Sequence, residues 1–519
     1  METDAHHLPF GLGGVVVALS LLLAATALPA GTSPLADAPT AFVRSQVASA
    51  VHWQPWTDAV LAQAKQQTKC VYVFVGSPLS ELTRATISQT FTSEKTVAWL
   101  NENFFCVFVD ADASPEVAAY AQHFITSVKQ LKGSPVHLWL TPELKPYDGA
   151  NYLPPSEEWG KPGFLKAARS ALDTWTVEPA RARALAEEAL SMMKLPPLAP
   201  GEVKPDVIKA KLDAAAAAWI ATIDAKNGGF GSAPKLPEPE LIRFLLKRDK
   251  AAQDAALNTA RALVAGALHD PVDGGFYRRC IDEEWKEPYF QKNLAEQARI
   301  ALALFDAANV AKDEKLHAAG IGALDFVLKE LRNPDGSFAA ALDGTLGENA
   351  DPAQRPAFVR VGTATSGAQG QLIAALQRSG VQRYRAVVAE LLAKLRPPSD
   401  ALPHLTGLPA AATAFDYIAA ALAFRPIRDE AAADRLLARA HELYFDPASG
   451  AYLVSPAKLP MGIAMRAPAS GDMPSVEVLA LLAGVDAKTA DLIRRNLLSQ
   501  IEYDELPPGD VLLGLADIR

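Results

Sequence analysis

The sequence predicts a chain in two folded parts, an α/β domain followed by an all-α ring of six hairpins, with one membrane segment ahead of both. Three observations predict it. Strand-like and helical runs alternate between residues 51 and 175, which is the pattern of a small α/β domain. Almost everything from 206 to 519 is helical in pattern, with Ala and Leu at i, i+3 and i+4. Residues 8–30 carry no charge at all.

That uncharged run is dense in Leu, Val, Ala and Gly. At about 1.5 Å per residue it is long enough to cross a hydrocarbon core of about 30 Å. It is read as a retained anchor, which would place the soluble part in the periplasm or outside the cell. A cleaved signal, with Ala25-Thr26-Ala27 as the small-residue site, is the alternative and would make the chain secreted. The leader METDAHH has no Lys or Arg and carries Glu2 and Asp4, so orientation is weakly specified. Residues 31–50, rich in Pro, Ala, Ser and Thr, read as a tether.

The α/β domain is assigned to 51–175. Val71 to Val75 is a continuous β-branched and aromatic run, too short to span a membrane and too apolar on both faces for an exposed hairpin. Gly76, Ser77 and Pro78 break it. A helix then starts at Ser80, so Ser80–Thr83 is presented at a helix N-terminus, where unpaired N–H groups favour anionic groups. A helix over 93–102 leads to a second strand, 104–109, which ends at Asp110-Ala111-Asp112. A helix around 115–127 and a third strand, 137–140, complete the domain.

Residues 176–205 hold a helical run and then Leu195-Pro196-Pro197 and Pro200-Gly201, and are read as a linker. From 206 to 519 about twelve helical segments follow. Twelve helices suit a closed ring of six hairpins, and the absence of a fixed sequence period disfavours a regular solenoid.

Composition removes several function classes. A net charge of −9 with no long Lys/Arg block is unsuited to neutralising phosphates, so no nucleic-acid partner is expected. Cys70, Cys106 and Cys280 form no C-x-x-C, so neither a zinc site nor a disulfide framework is signalled. No metal and no cofactor is expected. Cys70 and Cys106 fall in strand-like runs and read as small buried hydrophobes.

Several blocks, in order, carry a resemblance. They are HWQPW, VFVGS, QTFTSEKTVAWLNENFFCVFVDAD, GSPVHLWLTPELKP and GANYLPP, then GGFGSAPKLPEPELIRFLL, HDPVDGGFYRRCIDEEWKEPYFQKNLAEQARIALALFDA and NPDGSFAAALD. Together they resemble thioredoxin-like domains of the DUF255 type fused to an (α/α)6 toroid, the spermatogenesis-associated thioredoxin-domain family. The resemblance covers most of residues 50–519. It implies a thioredoxin-like fold for 51–175 and a six-hairpin glycosidase-like toroid for 206–519.

The family pattern places Cys-x-x-Cys where this chain has Ser80-Glu81-Leu82-Thr83. A cysteine works there because a helix N-terminus lowers its pKa from ~8.5 and supplies an attacking thiolate. Hydroxyls form no comparable exchangeable bond, so Ser80 and Thr83 read as degenerate redox positions. Pro135 matches the proline that is cis in thioredoxin-like folds and faces the reactive loop, exposing backbone to which a protein or peptide partner would pair.

For the toroid, the resemblance implies a carbohydrate in the central funnel. The candidate loop runs from His269 to Phe290. It is rich in acids, Asp270, Asp273, Asp282, Glu283 and Glu284, of which Asp273, Asp282, Glu283 or Glu284 could work as acid and base if a pair is held ~5 to 9.5 Å apart. Tyr277, Trp285 and Tyr289 are available to stack on a sugar, and Asp343 and Asp416 are further ligand candidates, a buried Asp416 needing a partner. Against catalysis, Tyr277 and Tyr289 stand where the family has His, and Gln291 where it has Glu, which removes groups that move protons near neutral pH. With both sets of polar chemistry lost, the leading expectation is a non-catalytic, membrane-anchored extracytoplasmic binding or scaffold protein. A carbohydrate-acting enzyme is the alternative, and a thiol redox protein working through Cys70 or Cys106 comes last.

Overall fold

Strand β2 (Val71–Gly76) is buried along its whole length, and its alternating side chains build two cores at once. Tyr72 and Phe74 point to one face of a sheet, and Val71, Val73 and Val75 to the other. The computed structural model that shows this describes residues 33–198, 201, 204–344, 356–396, 401–405, 407–408, 410–468, 475–503 and 506–516. The apolar segment expected at residues 8–30 lies outside the described residues, and no helix within them is long and apolar enough to cross a membrane.

The sheet has the order β1-β3-β2-β4-β5, with β1 (Gln54–Pro55), β3 (Phe105–Asp110), β4 (Val136–Leu140) and β5 (Pro146–Ala150). The first three are parallel in this order, and β4 and β5 are antiparallel to their neighbours. Helices α1 (Asp58–Gln67), α2 (Glu81–Ala85), α3 (Glu94–Asn103), α4 (Pro115–Lys129), α5 (Phe164–Val177) and α6 (Pro179–Met192) surround the sheet, and the segment expected to be a tether is seated on it instead, with Leu35 and Val43 buried in one of its cores. One core is aromatic, around Trp53, Tyr72, Phe74, Phe108, Trp139 and Phe164; the other is mainly aliphatic, with Phe105, Tyr120 and Phe124 among its Val, Leu and Ile side chains, and is covered by α1 and α4.

The domain extends past the expected boundary at 175. Helix α6 lies inside the segment expected to be a linker, yet it packs on β5 and buries Ala182, Ala186 and Ala189. Its apolar stripe is made of alanines, too small to stand out in sequence against an exposed helix. Strand β5 was also not foreseen, because Pro146 and Gly149 read as loop residues.

His137 lies fully buried in the aromatic core, with its Nδ1 2.7 Å from the Tyr72 hydroxyl. Burial pushes its pKa down to about 3, so the ring is neutral in the fold. Below the unfolded value of about 6.5 the unfolded chain takes up a proton that the folded one refuses. Stability is therefore complete above that value and is lost as pH falls towards 3, by at most about 1.4 kcal/mol per pH unit. Urea midpoints measured across this window should fall with pH, with a shallower slope in His137→Gln.

Twelve further helices alternate outside and inside a ring: α7 (Pro205–Ala221), α8 (Pro239–Leu245), α9 (Lys250–Ala265), α10 (Leu294–Ala311), α11 (Glu314–Phe326), α12 (Ser366–Arg378), α13 (Arg385–Lys394), α14 (Ala414–Phe424), α15 (Glu430–Tyr444), α16 (Val476–Ala483), α17 (Ala487–Tyr503) and α18 (Gly509–Ala516). Each even-numbered helix packs on the next, and α18 packs back on α8, which closes the ring. Helices α12 and α14 are buried almost all round, as inner helices must be. Two glycines permit this closeness. A Cβ on Gly370 would come within 2.7 Å of the Ala419 backbone, and one on Gly509 within 2.5 Å of the Leu241 backbone.

One turn recurs four times among the described residues, each time between an outer helix and the following inner one: Asp224–Phe230, Asp270–Phe276, Asn333–Phe338 and Asp446–Tyr452. In each, a glycine or near neighbour returns its N–H to the carbonyl of the leading Asp or Asn, and an aromatic residue closes it. Gly228, Gly229, Gly274 and Gly275 all have positive φ, which explains the repeated Gly-Gly. Strands β6 (Gln291–Asn293), β7 (Ala341–Asp343) and β8 (Val359–Val361) form a small antiparallel sheet on the same end of the ring.

Candidate functional site

A polar buried region lies where the α/β domain meets the ring. On the α/β side it begins with the loop after β2. Ser80 caps α2, its Oγ accepting from the Thr83 N–H at 3.2 Å. Thr83 is fully buried, with its Oγ1 3.4 Å from the Ser134 hydroxyl. The Ser134–Pro135 bond is cis, and Ser134 faces both hydroxyls. Ser80 thus serves as a helix cap and Thr83 as a packing residue.

Arg84 donates to the Pro78 carbonyl at 2.8 Å and reaches across to the fully buried Asp343 of the ring at 3.1 Å. From the ring, Gln291 Nε2 donates to the Leu79 carbonyl and to Asp343, both at 2.9 Å, and the Tyr289 hydroxyl donates to Glu81 at 3.2 Å. An apolar contact adds to these. Trp56 packs against Gly462, Ile463 joins the aliphatic core of the sheet, and the Met461 N–H donates to Asp58 at 3.2 Å.

A second polar patch joins the end of β3 to the start of α14. Asp416 lies fully buried and accepts from the Gly367 N–H at 2.7 Å, the Thr413 N–H at 2.8 Å and the Thr413 hydroxyl at 2.9 Å. His404 Nδ1 stands 2.6 Å from its Oδ2. Burial disfavours the imidazolium, but Asp416 and then the Asp112 backbone carbonyl outweigh that and raise the His404 pKa above its ordinary value. Facing it are Asp110, Asp112 and Glu116. Burial, and then the neighbouring Asp110, push Asp112 up to about 7, while the Ser77 hydroxyl at 2.8 Å opposes the shift. Burial likewise raises Asp110 and Glu116.

The residues expected to handle a sugar are placed otherwise. Asp270 is buried in an ion pair with Lys292 at 2.6 Å. Asp282 accepts backbone N–H groups of Glu284, Lys286 and Glu287, which makes it a turn former with a lowered pKa. Glu284 pairs with Lys286, and Asp273 and Glu283 are exposed. The expectation that Tyr277 and Trp285 are available for stacking is corrected: both are buried. Trp285 fills the space beside Gly229 and Gly266 and lies against the Lys235 ammonium, and Tyr277 lies 4.7 Å from the Lys292 ammonium. Tyr289 is half-buried at the joint, with the Arg279 guanidinium 4.5 Å from its ring.

The structure therefore brings Tyr289, Asp343, Ser80, Thr83 and Pro135 to one joint, and Asp416 to its second patch. Arg84, Asp112 and His404 were missed. A carboxylate pair at a strand end, Asp110 and Asp112, was the visible signal for one of them; nothing in sequence links Arg84 to Asp343. Among the described residues no group of three or more His, Cys, Asp or Glu is placed to hold a metal ion.

A thioredoxin-like sheet seated on a ring of six helical hairpins defines the class of protein. Residues 32–194 match the family model described as Thioredox_DsbH, protein of unknown function, DUF255. The chain is similar to spermatogenesis-associated protein 20 of Mus musculus, 29% identical over 310 residues that make up 56% of this chain and 38% of the mouse protein. The Homo sapiens protein of the same name is 28% identical over 313 residues, 56% of this chain and 39% of its own length. The chain thus spans about two fifths of the length of the curated relatives it matches. Among solved structures, a sugar epimerase from a ruminal bacterium superposes with a TM-score of 0.44 and 16% identity, over 57% of this chain and 86% of its own. Cellobiose 2-epimerase from Bacillus thermoamylovorans gives 0.44 and 11%, over 58% and 88%.

Proposed function

We propose that this protein is a non-catalytic binding or scaffold protein whose thioredoxin-like face is covered by its own helical ring. One observation carries the reading: the loop holding Ser80 and Thr83 is clasped by Gln291 and by the Arg84–Asp343 pair, where a reactive loop would need to be open. A peptide partner would reach that face once the two domains part. An anchor at residues 8–30, with the folded part outside the cytoplasm, belongs to the same proposal. The carbohydrate-acting alternative would use the 270–284 loop, and the commitment of Asp270 to Lys292 and of Asp282 to a turn weighs against it.

The test is direct. Burial pushes the Cys70 and Cys280 thiols up to about 12 and Cys106 higher still, so almost no thiolate is present at neutral pH. The native protein should leave all three cysteines unmodified by iodoacetamide, release them on denaturation, and reduce no insulin disulfide. It should also turn over no glycoside or free sugar. Disulfide reduction, or sugar turnover that disappears in Asp282→Asn and Glu284→Gln, would overturn the proposal.

A further inference from the structure

We infer that a trough on the wall of the ring, between α13 and the turn ahead of α15, receives an acidic amphipathic helix of a partner protein. The trough encloses about 810 Å3. Its floor is apolar: Leu376 from the end of α12, Val381 and Tyr384 from the turn that follows, and Val388 and Leu392 from α13. Pro426 and Ile427 form the far wall, and Ile427 is 47% exposed. Along α13 the exposed side runs Arg385, Ala389, Ala393 and then Arg396, so two small residues leave room between two guanidinium groups. Helix α13 has 10 residues, about 15 Å of axis, which matches an occupant of about three turns lying alongside it.

The charge of the trough selects the occupant. Beyond Arg396 the trough continues as a narrow cleft lined by Arg435 and Arg439 of α15. Among the described residues no carboxylate lines either part. Arg396 is held by Asp429 and Arg439 by Glu442, whereas Arg385 and Arg435 are exposed and no described acid pairs with them. A chain of net charge −9 thus carries a basic, apolar-floored trough on its wall. A helix with an apolar stripe flanked by carboxylates complements both features, the stripe on the floor and the acids against the arginines.

The walls favour a helix over an extended peptide. They are helices and helix-terminal turns, whose backbone groups bond largely among themselves, so no strand edge is offered for pairing. A second copy of this chain is disfavoured, because a two-fold contact brings the same patch to both partners and would set these arginines against their own images. A bilayer surface is flat, whereas the floor here lies beneath the rim, with Leu376 and Tyr384 each 2% exposed. The inference extends the binding role proposed above to a second surface, and it stands whether or not the thioredoxin-like face is covered.

The experiment is fluorescence anisotropy on the full chain with a fluorescein-labelled peptide of about 18 residues, bearing Leu at i, i+3, i+4 and i+7 and Glu on both flanks. A second peptide carries Lys in place of Glu. The Glu peptide should bind about tenfold more tightly than the Lys peptide, and its binding should weaken as salt is raised. Arg385→Glu with Arg435→Glu should reverse the preference, and Ile427→Asp should abolish binding of the Glu peptide. All three positions are exposed, and far-UV circular dichroism checks that the variants fold. Should the double Glu variant not fold, Arg385→Gln with Arg435→Gln carries the same test by removing the preference. No binding of the Glu peptide, equal binding of both peptides, or binding unchanged in the folded variants would overturn the inference. So would dimerisation of the chain, or co-sedimentation with phosphatidylcholine–phosphatidylserine vesicles, that Ile427→Asp abolishes, since either assigns the trough another occupant. Loss of peptide binding leaves the cysteine-protection and sugar-turnover results unaltered, so the two proposals fail separately.

Discussion

Lys292→Met is expected to lower the unfolding free energy by about 3–5 kcal/mol, the cost of stranding a buried carboxylate. The ammonium is 1% exposed and Asp270 is 2% exposed, and they meet at 2.6 Å. The same ammonium donates to the Gly274 carbonyl at 2.7 Å and lies 4.5 Å from the Phe326 ring. It thereby ties the Gly-Gly turn to both the inner helix α10 and the outer helix α11. Replacing both partners, as Lys292→Met with Asp270→Asn, removes the stranded charge and should recover most of the loss, because a buried pair is often no more stabilising than apolar residues of its volume. Urea unfolding followed by far-UV circular dichroism checks both. An unchanged midpoint in the single variant would remove Lys292 from the packing of the ring and return Asp270 to the list of available acids.

Asp416→Asn should be nearly as damaging, at about 3 kcal/mol, although it alters one atom and no volume. The carboxylate accepts from two backbone N–H groups, one hydroxyl and one imidazole. An amide in its place presents an NH2 to at least one of those donors. The Thr413–Asp416 capping box at the start of α14 would be broken, and α14 is the inner helix packed against both α12 and α16. Thermal unfolding should show the loss. A wild-type melting temperature would mean that Asp416 is held for something other than structure.

Both residues show how far the sequence could be read. The strand at Val71–Val75 and the break at Gly76 were legible because the run is short, β-branched and aromatic, and is stopped by Gly76 and Pro78, which together favour a buried strand over a core helix. The seats of Ser80 and Thr83 were legible for the same reason: a helix must start after the break. The ring was legible as helices in the right number, since inner helices such as α14 are apolar all round.

What failed was the chemistry of the 269–290 loop. Acids and aromatics spaced along a loop have the same composition whether they bind a sugar or close a Gly-Gly turn. The difference lies in partners that composition does not pair: Lys292 with Asp270 and Lys235 with Trp285. The joint was less legible still, because Arg84 and Asp343 lie in different domains. The recurring turn could have been found by searching for a leading Asp or Asn followed by glycines and an aromatic, but its copies fall at unequal intervals, so no period announced it.

The closure of α18 on α8 restricts how the fold is made and how it can change. Gly509 and Leu241 meet only after nearly the whole helical half of the chain has been synthesised, so the joining of the first inner helix to the last is a long-range event with a large loop-closure entropy. Until then α8 and α16 each present an apolar flank with no neighbour, the kind of surface on which incomplete rings associate with one another. A repeat array that stays open can gain or lose a unit at its ends behind a polar cap; a circle has no end to cap.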